Sequence, residues 1–413
     1  MSPASPAVYR RRRIVVGAAL VLIALVATYF PVALLGPVPQ ASASVTDAPP
    51  TVTPATALAT PGAGTSAIGL VTDGSAQTLG GSGSTDPLPI ASITKTITAL
   101  VVLDAKPIDE GSDGPSITMT DADLAILQAT QAENGSWASV LPGQVLSERQ
   151  VIEIMLLESA NNYSVTLTNW AFGDTASYVA AATAWLAKNA LSGTSVVDTS
   201  GLNPGSRSTT ADLLTLARLV LADPVLSGIV GTASLELPQL GTVENTNDLL
   251  GMNGIDGVKT GTTDEAGFCL LFSADYTVAG ETLQLVGVGL GAPEEDTLHA
   301  SVLALLQSAE AGFQTVPLVT AGDVLGSYTT PWGASADIVA EESVEATVWS
   351  SATVTRSAEA GEIGSGASGT EVGTARYTIE GITLGSGEYT VPLELASDLE
   401  GPDAGWKLAN PFR

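Results

Sequence analysis

Residues 14–36 form 23 consecutive positions without a charge, directly after Arg10, Arg11, Arg12 and Arg13. No other stretch limits the chain so narrowly. As a helix rising ~1.5 Å per residue it covers the ~30 Å hydrocarbon core of a bilayer, where backbone polar groups must be satisfied internally. The arginines predict that residues 1–13 stay in the cytoplasm as a basic tail and that everything after the span is exported. The rival reading is a signal peptide, because Ala41-Ser42-Ala43 resembles a processing site. The length of the apolar run favours a retained transmembrane anchor, and on either reading the body of the protein leaves the cytoplasm.

Residues 37–64 are rich in Pro, Ala, Thr and Ser, which predicts a semi-extended linker with no core of its own. The remainder is long enough for two domains, and 45% hydrophobic with only 14% charged residues it reads as globular. Acidic residues outnumber basic ones 43 to 15, for a net charge of −28. Such a balance repels phosphate, so nucleic acid is excluded as a partner and anionic lipid is disfavoured. The single cysteine, Cys269, rules out an internal disulfide and reads as a small core side chain in an apolar run. No Cys/His ligand cluster is present, so neither a metal nor another cofactor is expected.

From 65 to 313 the pattern mixes helical periodicity (149–157, 176–187, 210–221 and 297–306) with strand-like runs (267–274 and 284–290). From 314 onward it changes to short alternating strands separated by Gly/Ser turns, at 336–340, 344–355, 373–379 and 388–395. A main domain at 65–313 and a separate small β domain at 314–413 are therefore expected, with no repeat at a solenoid period.

Chemistry points to Pro89-Ile90-Ala91-Ser92-Ile93-Thr94-Lys95. Ile93, Ile97, Leu100 and Val101 recur at helical spacing, which predicts a buried helix with Ser92 as its cap. Lys95 lies one turn on, so both side chains project from the same face. Burial favours the neutral amine, which can then take the hydroxyl proton and make Ser92 a nucleophile. A histidine base would have to be His299, the only one, which reads as an ordinary helix residue, and no Gly-x-Ser-x-Gly elbow accompanies it. Two further short elements follow: Ser159-Ala160-Asn161 after an apolar helix, and Lys259-Thr260-Gly261-Thr262 before the Cys269 strand. Taken singly each is weak, a helix-end turn and a hairpin edge.

In this order, with Ser159 67 residues after Ser92 and Lys259 100 residues after Ser159, the three elements resemble the motif set of the active-site-serine penicillin-recognising enzymes. The spacing is similar to that of the D-alanyl-D-alanine carboxypeptidases, the low-molecular-mass penicillin-binding proteins. Asp198-Thr199-Ser200-Gly201-Leu202-Asn203 and Asn245-Thr246-Asn247-Asp248-Leu249-Leu250 resemble further segments of that family. The likeness covers about residues 65–313.

The resemblance implies an α+β fold: an antiparallel sheet flanked by helices plus a helical region, followed by a small β-sandwich-like domain. It implies hydrolysis of peptidoglycan stem peptides through an acyl-enzyme, with β-lactams as covalent inhibitors. Ser92 would attack, Lys95 act as base, Ser159 relay a proton and Asn161 hold the substrate amide and orient Lys95. Lys259 would meet the terminal carboxylate, helped by Thr260 and Thr262, and the oxyanion would lie between the N–H groups of Ser92 and Thr262. A β-lactamase is the nearest rival, but the Glu-x-x-Leu-Asn loop of one class is missing and Ser159 stands where another has tyrosine. A DD-endopeptidase and a non-catalytic wall-binding protein are the others. Two features depart from the family: no Asp-x-x-x-Gly turn between Gly69 and Gly81, and a carboxylate, Glu158, beside the second motif.

Overall fold

The uncharged run folds into one helix, α1 (Pro6–Leu35), in a computed structural model that describes residues 6–72, 74–109, 111–237 and 240–411. Residues 1–5 of the expected basic tail, and Phe412 and Arg413 of the expected β domain, lie outside the described residues. Among the described residues α1 is the only unbroken helix long and apolar enough to cross a membrane, and nearly all of its side chains are exposed. Such a helix suits lipid as its solvent. After it the chain divides into two units, Thr56–Phe313 and a second made of Met1–Ala55 with Gln314–Arg413.

The stretch expected as a linker is structured in part, between residues 42 and 52. It holds two strands, β1 (Ser42–Val45) and β2 (Ala48–Val52), both belonging to the second unit. Their prolines and small residues hide a strand from a reading of periodicity, because an edge strand needs no alternation and tolerates Pro where no ladder N–H is required.

The larger unit is built on a five-stranded antiparallel sheet. Its strands are β3 (Thr65–Thr72), β4 (Ser75–Ser82), β5 (Ile255–Thr263), β6 (Gly267–Val278) and β7 (Glu281–Ala292), in the order β5-β6-β7-β3-β4. The first hairpin closes without the family's turn sequence, pairing Thr72 with Ser75 around Gly74 at φ +72°. The helices are α2 (Thr94–Ala105), α3 (Asp121–Ala132), α4 (Glu148–Leu157), α5 (Asn161–Phe172), α6 (Thr175–Lys188), α7 (Thr210–Ala222), α8 (Pro224–Val230) and α9 (Glu295–Glu310). Leu214 of α7 lies over Gly69 and Leu298 of α9 over Gly289, positions on opposite faces of the sheet, so helices cover both. Every residue of α2 from Thr94 to Leu103 is buried, the mark of a helix surrounded on all sides. This central helix starts at the nucleophile segment.

The second unit is a curled antiparallel sheet. It takes in β8 (Phe313–Val319), β9 (Val324–Thr329), β10 (Ser335–Ala340), β11 (Val344–Ala360), β12 (Glu371–Leu384) and β13 (Glu388–Leu395), in the order β1-β9-β10-β13-β12-β11-β8, with β2 also on β11. Leu325, Tyr328, Ile338, Val391, Leu393 and Leu395 fill its core. A short helix, α10 (Ala404–Ala409), follows.

Candidate active site

Ser92 lies in a single 3-10 turn, Ala91–Ile93, that leads into α2. It is not the helix cap expected from sequence: that position is Ile93 and carries no side-chain cap bond. The Ser92 hydroxyl is instead taken up by Lys95, whose Nζ donates to Oγ at 2.7 Å. The turn is tightly made. Ala91 sits at φ +43°, and a Cβ on Gly201 would lie 1.8 Å from the Ala91 carbonyl oxygen, so only glycine fits beneath it.

Lys95 is fully buried. Besides Ser92 it reaches Ser159 Oγ at 3.5 Å and the Ser200 carbonyl at 3.4 Å. Burial holds its amine well below the ordinary lysine range; the neighbouring charge of Lys259 lowers it further, while Asp198 opposes both. Ser159 stands at the break between α4 and α5, at φ +57°, where the left-handed backbone turns its side chain back toward α2. Asn161 opens α5 and its N–H donates to the Ser136 carbonyl at 2.8 Å. Its Oδ1 is buried without a partner among the described residues, a free acceptor at the site. Among the described residues no hydrogen bond joins Asn161, expected to orient Lys95, to the Lys95 amine. The carbonyl of Ser200 takes that place.

Lys259, Thr260, Gly261 and Thr262 lie on β5, the edge strand that pairs only with β6. A Cβ at Gly261 would stand 3.0 Å from the Ser92 nitrogen and 3.0 Å from the Ile90 carbonyl. The missing side chain therefore brings the strand up to the nucleophile turn. Lys259 Nζ donates to Thr260 Oγ1 at 3.3 Å and to Thr246 Oγ1 at 3.4 Å, and burial pushes its amine down to about 7.

Two contributors were not singled out from sequence. Thr246 shares a 2.6 Å hydrogen bond with Thr260, and its N–H donates to the Leu157 carbonyl at 3.1 Å, tying the third motif to the end of α4. Asp198 accepts from the N–H groups of Gly201 and Asn203 and from the Ser206 hydroxyl at 2.6–3.0 Å, folding the loop that delivers the Ser200 carbonyl. Both lie in segments whose resemblance to the family was legible, but a carbonyl ligand leaves no mark on residue identity.

Other candidates fall elsewhere. Cys269 is buried in β6 with its thiol pushed up to about 11 by burial, and His299 is on α9. Among the described residues no group of three or more His, Cys, Asp or Glu is placed to hold a metal. Glu158 is raised by burial and then by Glu244, and the charges that bear on Lys95 are those of Lys259 and Asp198.

A serine held by a buried lysine, a second serine on the far side of that lysine, and a Lys-Thr-Gly edge strand brought up by glycine are the arrangement that serine acyl transfer with an amine base requires. The model of the family described as D-alanyl-D-alanine carboxypeptidase matches residues 56–293, and the chain belongs to that family. D-alanyl-D-alanine carboxypeptidase DacF of Bacillus subtilis is 27% identical over 241 residues, 57% of this chain and 59% of the relative. DacD of Salmonella typhimurium, of the same description, is 30% identical over 248 residues, 59% and 62% of the two chains. The chain thus spans less than two thirds of the length of these relatives. In fold it is similar to penicillin binding protein 5 from Haemophilus influenzae, with a TM-score of 0.56 at 20% identity, covering 86% of this chain and 100% of that one.

Proposed function

We propose that the chain is a serine-type D-alanyl-D-alanine carboxypeptidase that removes the terminal D-alanine from peptidoglycan stem peptides and is acylated by β-lactams. The observation that carries this is the buried Lys95 amine 2.7 Å from Ser92 Oγ. With the amine neutral, the Ser92 hydroxyl gives its proton to Nζ while Oγ bonds to the carbonyl carbon of the penultimate D-alanine. Ser159, on the far side of Nζ, returns a proton to the departing amine as the C–N bond breaks. Water then resolves the ester.

The substrate's place follows from the same residues. The free edge of β5 accepts an extended peptide as an added strand. Lys259, with the Thr260 and Thr262 hydroxyls beside it, receives the terminal carboxylate, and the unpartnered Asn161 Oδ1 accepts from a substrate amide. The close approach of Gly261 to the Ser92 nitrogen supports an oxyanion site between the N–H groups of Ser92 and Thr262. One such donor is worth ~3 kcal/mol of barrier in other serine hydrolases.

The Ser92→Ala variant tests the reading. It is expected to lose covalent labelling by a fluorescent penicillin while unfolding at the same denaturant concentration as the parent. Label retained on that variant would place the nucleophile elsewhere.

In location, the reading is a single-pass membrane protein with Arg10–Arg13 inside and residues after α1 outside. Retention of α1 is supported by β1. The resembling processing site, Ala41-Ser42-Ala43, is built into the sheet, with Ala41 bridged to Ile363 and Ser42 and Ala43 paired with Thr329 and Tyr328.

A further inference from the structure

We propose that the second unit holds a binding site for a small organic carboxylate with an apolar body, in the cleft beside β2 and β8 that Arg356 and Tyr377 line. The cleft begins with two prolines. Along β2, Val52 pairs with Thr353, Thr51 with Val354 and Ala48 with Arg356. Pro49 and Pro50 therefore stand together opposite Thr355, a bulge at a place where a strand can do without N–H groups. A bulge bends its strand, and beside this one lies a cavity of about 430 Å³, within the ~300–1,000 Å³ typical of small-molecule sites. Its lining is mostly apolar, with Pro49, Pro54, Val316, Pro317 and Val354 among the residues that form it. Proline rings keep their backbone shape whether or not a ligand is bound.

Two polar side chains line the same cavity, directly opposite each other on β11 and β12. Arg356 is anchored by Nη2, which donates to the Thr46 carbonyl at 2.8 Å, between β1 and β2. Its Nε is buried with no partner among the described residues, and no ion pair there engages the guanidinium. An unpaired guanidinium is conspicuous in a chain with 43 acidic residues. Tyr377 is 2% exposed, and its Oη is likewise buried and unpartnered. Burial raises the phenol and the Arg356 charge lowers it, so the two groups lie close together, yet neither satisfies the other. Buried donors are ordinarily paired, and leaving them unpaired costs stability. Two orphaned donors beside one cation call for an acceptor that carries negative charge.

A carboxylate meets that need. Its two oxygens accept from the planar guanidinium and from the phenol, and its charge offsets the cation. The apolar body of the same molecule then lies against the prolines and valines. A free amino acid fits badly, because its ammonium would be buried among apolar side chains next to Arg356.

The test uses the full chain in phosphatidylcholine nanodiscs and three probes of one shape, 4-phenylbutyrate, 4-phenyl-1-butanol and 4-phenylbutylamine, in equilibrium dialysis read against empty discs. The acid is expected to bind at least about tenfold more tightly than the alcohol, and the amine not at all. Arg356→Gln is expected to abolish the preference for the acid. Val52→Trp, at an exposed position that lines the cleft, is expected to block acid and alcohol alike. Three results overturn the site: an acid bound no more tightly than the alcohol, a preference that survives Arg356→Gln, or binding that survives Val52→Trp. Tyr377→Phe adds a readout that needs no ligand. Because the hydroxyl is unpartnered, the variant is expected to unfold at the urea midpoint of the parent or above it, while binding the acid several-fold more weakly. A lower midpoint would show the hydroxyl already engaged in the empty protein, and overturns the proposal as well.

Discussion

Two buried amines divide the work of the site by their protonation. In the proposed roles Lys95 is a base only when neutral, the form burial favours, and Lys259 receives a carboxylate only when charged, while burial brings it down to about 7. The signs give a bell. Acylation by a penicillin is expected to climb as Lys95 gives up its proton and to fall above about 7 as Lys259 loses its charge, the second-order rate constant reporting the free enzyme. Lys259→Arg, whose guanidinium keeps its charge, is expected to move the alkaline limb upward by more than one pH unit in a pH–rate profile. An alkaline limb that stays in place would assign it to another group.

Among the elements, β2 and the residue that follows it are the least anticipated. Thr53 is buried, its hydroxyl donating to the Ser350 carbonyl at 2.7 Å and accepting from the Ala352 N–H at 2.7 Å. Thr53→Val keeps the shape and removes both hydrogen bonds, taking from the Ala352 N–H the hydroxyl it donates to, so it is expected to destabilise the second unit by about 1–3 kcal/mol, read from its urea unfolding midpoint. A midpoint within error of the parent would leave β2 as an ornament of the sheet. The contrast with the site is instructive. Ser92, Lys95, Ser159, Asn161 and Lys259 were legible because each motif is a few contiguous residues whose side chains carry the chemistry. The strand at Ala48-Pro49-Pro50-Thr51-Val52 was not, because what makes it a strand is the backbone of β11, paired through Thr353 and Val354, some 300 residues away. The Ser200 carbonyl was hidden for the same reason: Gly201 and Asp198 shape the loop, and the atom delivered belongs to every residue alike. Helices α3, α5 and α8 likewise emerge from packing more than from periodicity.

At the scale of the whole chain, the segment between α1 and the larger unit is structural. Removing residues 1–43 would cut β1 in half, since Ser42↔Thr329 and Ala43↔Tyr328 would be lost while Ser44↔Ser327 and Val45↔Gly326 remained. The protein extracted from membranes is therefore expected to keep α1, as an intact mass that includes residues before Ala41. A mature chain beginning at Ser44 would refute it. The second unit is made from both sides of the larger one, Met1–Ala55 before it and Gln314–Arg413 after it. The larger unit is thus an insertion with two covalent junctions, both leading to the same sheet. A protease that nicks either junction opens the backbone without releasing a fragment, because the severed arm stays zipped into its neighbours; only a double cut would part the larger unit from the second.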